Sequence, residues 1–288
     1  MTAGVPGGGA GLAGKPRFVE VADRVFVVRH PVLDVNATLV AGDGAALLVD
    51  TLSTARQAGE LADAARAVTA DPWIVVNTHH HFDHCFGNAT LSTPGWPVWA
   101  HEHAVLSLRE QAEQMRRTYV DRWRPDDPRL ADELAAVRVL LPTHTVHSEQ
   151  VLDVGGRSVV LRHLGPGHTA GDLVVWVPDA DVLVAGDLVE QGAPPDFADA
   201  YPLAWPEATA ALLRLTGPST VVVPGHGAVV DPAFVRAQHA ELTALSWSIR
   251  EGHADGAPAP AVAAGAPFGA AAALPAVLRG YAELDGRA

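Results

Sequence analysis

The stretch Trp73-Ile74-Val75-Val76-Asn77-Thr78-His79-His80-His81-Phe82-Asp83-His84-Cys85 runs from four apolar residues straight into three imidazoles and a carboxylate spaced His79-x-His81-x-Asp83-His84. The apolar run reads as a short buried strand, and polar groups at the end of a strand are well placed for chemistry. Neutral imidazole and carboxylate suit zinc, whose sites hold four ligands, or three and a water in a catalytic centre. Six residues that supply four candidate ligands begin two sites and complete neither. The chain offers three further places of the same kind. His168 stands in Gly165-Pro166-Gly167-His168-Thr169-Ala170-Gly171-Asp172, Asp187 in Ala185-Gly186-Asp187-Leu188, and His226 in Pro224-Gly225-His226-Gly227. Each adjoins an expected strand, and each has glycine beside it, which lets the backbone turn sharply or come close.

Outward from these residues, the runs 18–21, 24–29, 37–40 and 45–49 read as a hairpin meander. The segment 51–69 has helical apolar spacing with Ser53 as the expected cap. The second half repeats the theme, with strands at 151–154, 158–161, 173–177, 182–185 and 220–223 and helices at about 206–215 and 232–251. Such an order suggests two packed sheets with helices outside. Between the halves, Val105, Leu108, Ala112, Met115 and Tyr119 recur at steps of three or four. This amphipathic helix, with 129–139 after it, reads as a helical insertion over about 102–142. The expected organisation is a flexible Gly-rich tail over 1–16, one domain over 17–254, and an Ala/Pro-rich linker with a short helix over 255–288.

Composition narrows the function. The 288 residues carry 20 Lys+Arg against 33 Asp+Glu, a net charge of −13, with 14 His and one Cys. A single Cys forms no internal disulfide and builds no thiolate zinc site. The negative balance argues against a nucleic-acid partner, because such binding neutralises phosphates with Lys and Arg. No run of about 18 apolar residues reads as a membrane span, and the N-terminus lacks the features of a secretory signal. The expectation is a cytoplasmic protein that acts on a small-molecule substrate.

Taken in order, the strand ending Leu48-Val49-Asp50-Thr51, the His79–His84 motif, His168, Asp187 and His226 resemble the metallo-β-lactamase fold superfamily of metallohydrolases, across roughly residues 18–230. The resemblance implies an α/β fold, an αββα sandwich with a dinuclear centre at one edge of its sheets. It implies two Zn2+ ions per chain, with iron or manganese as other occupants. His79, His81 and His168 would bind the first metal and Asp83, His84 and His226 the second, with Asp187 bridging both. Asp50 would support the ligands from behind without being one. The implied activity is cleavage of an ester, thioester or lactone by metal-bound hydroxide, oriented by Asp83 as catalytic residue. The alternatives are β-lactam hydrolysis, a phosphodiesterase or nuclease on the same fold, and an iron-dependent redox enzyme. Two departures stand out. Leu52 follows Asp50-Thr51 where the family commonly has glycine, and Asp187 stands where the best-known zinc β-lactamases use Cys. Quorum-signal lactonases place a Tyr soon after the bridging Asp; here Leu188, Val189 and Glu190 follow, and Tyr201 is the candidate substitute.

Other residues have plainer readings. His80 should point away from the metals, and Cys85 should be a small buried residue behind the motif. His101, His103, His144, His147 and His163 read as ordinary surface or satisfied core histidines. Arg109, Arg116, Arg117, Arg122 and Arg124 read as a solvated helix face balanced by Glu110, Glu113 and Asp121, in preference to a substrate-steering lid.

Overall fold

The computed structural model describes residues 16–92 and 96–287, so the Gly-rich tail lies, except for Pro16, outside the described residues. Strands β1 (Val19–Ala22), β2 (Val25–His30), β3 (Val35–Ala41) and β4 (Ala46–Val49) form the expected antiparallel meander. Helix α1 (Ala55–Val68) follows and leads into β5 (Trp73–Val76), which pairs parallel to β4. The cap of α1 is Thr54, not Ser53: Thr54 is extended and its side chain accepts from the Gln57 amide. Ser53 instead donates its own amide to the Gln57 side chain. The register moves by one residue because Leu52 reverses the chain, with φ at 64°. The left-handed turn usual for glycine is therefore kept, by a buried leucine.

After the short turns α2 (Phe82–Cys85) and α3 (Asn88–Leu91) come β6 (Val98–His101), α4 (Glu102–Trp123), α5 (Pro128–Ala135) and β7 (His144–Val146). The segment expected as an insertion is a crossover instead. It joins β6 to β7, which pair in parallel, and a parallel pair needs a connection of a dozen or more residues. Neither strand is among those expected from the sequence; β7, three residues of which only Val146 is buried, is too short to display a period of two. On α4, Arg116 and Arg117 pair with Glu113, and Arg124 with Asp132, the solvated arrangement expected. The apolar face of α4 packs on the metal-binding turn, where Tyr119 stacks on Phe82 at 3.8 Å between ring centres.

Strands β8 (Glu149–Val154), β9 (Arg157–Arg162), β10 (Val174–Val177) and β11 (Val182–Glu190) form the second half, followed by α6 (Trp205–Leu213) and β12 (Val221–His226), parallel to β11. The alternation of side chains explains the layers. Leu47 and Val49 of β4 and Val182 and Val184 of β11 meet in one core between the sheets. Ala46 and Leu48 face α1, and Leu183 and Ala185 face α6 and the C-terminal helices. The result is the αββα sandwich. The two half-sheets join through the pair His226 with Val35, so they meet at the edge where His226 stands.

The stretch after 254, expected as a linker with a short helix, holds two helices. Helix α7 (Pro232–Ala254) is followed by α8 (Ala259–Gly265) and α9 (Ala270–Leu284). Ala259, Ala263, Ala273, Ala276 and Val277 are buried in the core under β11 and α7. Small residues need no core of their own here, because they let backbones come close to the large side chains of their neighbours. At Gly280 of α9, a β-carbon would lie 2.5 Å from Ile249.

Candidate metal centre

All seven expected ligands converge. His79, His81, His168 and Asp187 form one group of ligand atoms within 4.8 Å of one another, and Asp83, His84 and His226 form another. Asp187 lies between the two groups. Its Oδ1 is 3.2 Å from His84 Nε2, and its Oδ2 is 3.3 Å from His226 Nε2, 3.4 Å from His168 Nε2 and 3.6 Å from His79 Nε2. Within the groups, His81 Nδ1 is 2.9 Å from His168 Nε2, and the Nε2 atoms of His84 and His226 are 3.2 Å apart.

The imidazoles are aimed by what holds their outer nitrogens. Thr78 donates its hydroxyl to Asp50 Oδ2, so its oxygen is free to accept from His79 Nδ1 at 3.0 Å. His84 Nδ1 donates to Asp50 Oδ2 at 2.8 Å, and His226 Nδ1 to the Leu33 carbonyl at 2.8 Å. Each bond fixes a tautomer and leaves the inner nitrogen with a free lone pair, the arrangement metal-binding histidines need. Asp50 also accepts the Thr78 amide at 2.7 Å, so it sits behind His84 directly and behind His79 through Thr78.

Backbone geometry sets the carboxylate. Gly186 has φ at 54°, and its α-carbon packs so closely on Thr78 that a β-carbon would lie 2.8 Å from that side chain. A β-carbon on Gly225 would lie 1.7 Å from Asp187 Oδ1. Glycine there leaves the room in which the carboxylate sits.

The donor set fits divalent metal ions. Among the described residues, His79 Nε2 is buried without a hydrogen-bond partner, and Asp187 Oδ1, although close to His84, lies outside hydrogen-bond geometry. Buried polar atoms without partners are costly, and a cation accepting both lone pairs removes that cost. Five imidazoles and two carboxylates, with no thiolate, suit zinc, iron or manganese.

Without metal the cluster divides by charge. Burial lowers His79 well below the usual imidazole range and His168 to about 4. At His81 burial is outweighed by Asp199, which lifts it to about 9; at His226, Asp187 and Asp83 lift it to about 10. At His84 the carboxylates of Asp187, Asp83 and Asp50 overcome burial and raise it well above the normal value. Metal must therefore displace the protons that His81, His84 and His226 hold more tightly than a free imidazole does. Zinc uptake at pH 7 is expected to release protons, and affinity should rise with pH through the range in which these imidazoles titrate. Calorimetry in buffers of different ionisation enthalpy measures this; uptake with no proton release would contradict it.

Sequence reading missed Asp199, whose carboxylate lies 3.0 Å from His81 Nε2 and 3.2 Å from His80 Nε2. His80 does point away from the ligand groups, as expected, but it is buried against this residue rather than facing solvent. Glu190, with Oε1 3.8 Å from His168 Nδ1, was also missed as a neighbour of the site. Tyr201 carries the Arg279 guanidinium 5.5 Å above its ring. Cys85 is buried and donates to the carbonyls of His80 and His81, in the packing role expected.

Fold and site together define an αββα protein with a two-part His/Asp centre at the edge where its sheets meet. Residues 30–226 match the metallo-beta-lactamase superfamily, and the chain belongs to that family. It is 29% identical to a metallo-beta-lactamase type 2 of Bacillus cereus over 160 residues, 54% of this chain and 52% of that one, so it spans about half the length of that relative. It is 25% identical to a hydroxyacylglutathione hydrolase of Brucella anthropi, covering 73% of this chain and 64% of that one. With an acyl-coenzyme A thioesterase of Gallus gallus it shares 30% identity over 63% of each. Among solved structures, a metallo-beta-lactamase from Pontibacter korlensis superposes with a TM-score of 0.65 at 21% identity, covering 79% of this chain and 99% of that one, a likeness of fold. No helix among the described residues is long and apolar enough to cross a membrane.

Proposed function

We propose that the protein is a dinuclear zinc hydrolase that cleaves an acyl bond, an ester, thioester or lactone, in a small molecule. The observation that carries this reading is the convergence of His79, His81, His168, Asp83, His84 and His226 around Asp187. In it, His79, His81 and His168 hold the first ion, Asp83, His84 and His226 the second, and Asp187 faces both. Two bound dications would supply Lewis acidity and a water made acidic enough to ionise near neutral pH.

The chain's own residues do the rest. His81, Asp83 and His226 are the ligands with exposed edges, at 13%, 10% and 18%, whereas His79, His84 and His168 are sealed at 1% or less. A substrate therefore approaches over the His81–Asp83–His226 edge. Asp83 Oδ2, 3.4 Å from His226 Nε2, lies on that edge, where its carboxylate can orient the attacking water and accept its proton. Asp50, Thr78 and Leu33 keep the imidazoles aimed throughout.

The names of the hydroxyacylglutathione hydrolase and thioesterase relatives support thioesters as the first class to test. β-Lactam hydrolysis is the second reading, favoured by the Bacillus cereus relative. We place the enzyme in the cytoplasm, a reading that its lone cysteine, which is buried, neither requires nor opposes. With a net charge of −13, nucleic acid is not the expected substrate.

The test is zinc-loaded protein assayed on thioesters, esters, lactones, β-lactams and phosphodiesters, with metal content measured in parallel. About two zinc ions per chain and turnover of an acyl substrate, abolished by His81→Ala, are expected. Protein that binds no metal would overturn the centre. Cleavage of phosphodiesters alone, or iron with oxygen-dependent turnover, would overturn the acyl assignment.

A further inference from the structure

His81 differs from the other four histidines in what holds it. The outer nitrogens of His79, His84 and His226 meet Thr78, Asp50 and the Leu33 carbonyl, each serving one imidazole of the loop or strand end it faces, and that of His168 lies 3.8 Å from Glu190 without a hydrogen bond. The outer nitrogen of His81, Nε2, meets Asp199 Oδ1 at 3.0 Å, a residue 118 positions away in the segment between β11 and α6. The same carboxylate takes His80 Nε2 at 3.2 Å through its other oxygen. One carboxylate thus grips two consecutive imidazoles of the metal-binding loop from outside.

Asp199 is itself held from the C-terminal helix. Arg279 of α9 donates from Nε to the Ala200 carbonyl at 3.0 Å and from Nη2 to the Asp199 carbonyl at 3.3 Å. Its guanidinium also lies over the Tyr201 ring. The Tyr201 amide in turn donates to the Gly167 carbonyl at 2.8 Å, next to His168. A continuous set of contacts therefore runs from α9 through residues 199–201 to both His81 and the His168 loop.

We propose that Asp199 is a positioning residue for the first metal site, turning His81 Nδ1 toward His79 and His168, and that Arg279 makes the C-terminal helix part of that site by fixing Asp199. This rests on the dinuclear reading above. A charge-assisted bond to the outer nitrogen restrains the ring and makes the inner nitrogen a better donor to a metal; partners of this kind are worth about 10–100-fold in metal affinity. Asp199 is 40% exposed, so its loss removes orientation without opening a cavity in the core.

The test is zinc and cobalt titration of the full chain against a competing chelator, with the visible absorption of bound cobalt as the signature of first-site geometry. Asp199→Ala is expected to weaken one of two metal equivalents by about 10–100-fold and change the spectrum of that equivalent, with the other unaltered. Asp199→Glu should recover part of the affinity, and Arg279→Met should give a smaller loss at the same equivalent. Thermal unfolding of the metal-free variants checks folding, and if Asp199→Ala does not fold, Asp199→Asn and Arg279→Met carry the test. Wild-type affinity and spectrum in the folded variants would overturn the inference while leaving the dinuclear centre standing. A third cobalt equivalent in the wild type, absent in Asp199→Ala, would also overturn it, because Asp199 would then be a ligand with His80 and His81. Wild-type protein that takes up no metal would instead sink the reading on which the inference rests.

Discussion

Asp187→Ala is expected to leave about one metal ion or fewer per chain and to cut acyl turnover by about 10³-fold or more. The carboxylate lies within 3.6 Å of four imidazole nitrogens drawn from both ligand groups, so no other side chain can take its place. The substitution should also weaken the metal-free protein. Burial pushes Asp187 up, but His84, His226 and His79 outweigh it and hold the carboxyl well below its usual range. A carboxyl lowered on folding adds stability above its unfolded value, near 3.9, and loses it as the pH falls through the folded one. The penalty should therefore be full at pH 7 and shrink below about pH 4. Removing one partner of a buried ion pair costs about 3–5 kcal/mol. Asp187→Asn, nearly equal in volume, should keep most of that penalty, which separates charge from packing. Metal analysis and denaturant unfolding at two pH values measure both effects. Two metals bound with wild-type affinity would refute the bridging position.

Gly225→Ala is expected to do nearly as much harm although it changes no ligand. The added methyl carbon would sit 1.7 Å from Asp187 Oδ1, 2.8 Å from its Cγ and 2.9 Å from its backbone nitrogen. Rotating the carboxylate cannot relieve a clash that includes the main chain. Strand β12 would have to shift away from β11, to which it is paired on either side of this point, at Gly186–Pro224 and Glu190–His226. That shift would move His226 as well. Overpacking of this kind costs about 1–3 kcal/mol, and the displaced ligands should bring metal content and turnover toward those of Asp187→Ala. Gly59→Ala, where a β-carbon meets nothing within 4 Å, is the matched control and should keep both metals. A Gly225→Ala protein with normal metal content would show that the two strands separate more easily than their pairing implies.

The contrast between these two glycines illustrates how much of the site was legible. Gly225 beside His226 could be read as a place of close approach, because glycine next to a candidate ligand is a local signal. That the approach is to Asp187 could not be read, because it depends on the pairing of two strands. The same holds for the cap of α1. A polar residue before the helix was visible, but the choice of Thr54 over Ser53 followed from the left-handed turn at Leu52. The C-terminal helices over 232–254 and at the chain's end were legible, whereas α8 fell in the stretch read as linker, because alanine-rich sequence carries little hydrophobic signal and its burial depends on the surface it meets.

The sequence by itself determined the ligand types, their order and the layered α/β fold, because strand-end histidines and apolar runs are local patterns set by covalent spacing. The tertiary structure alone decided which outer group aims each imidazole. Asp199 reaches His81 across 118 positions, and Leu33 reaches His226 across 193. Such partners are chosen by how the sheets meet and how α9 docks, and no local pattern records a contact made only when distant segments are brought together by burial of the core.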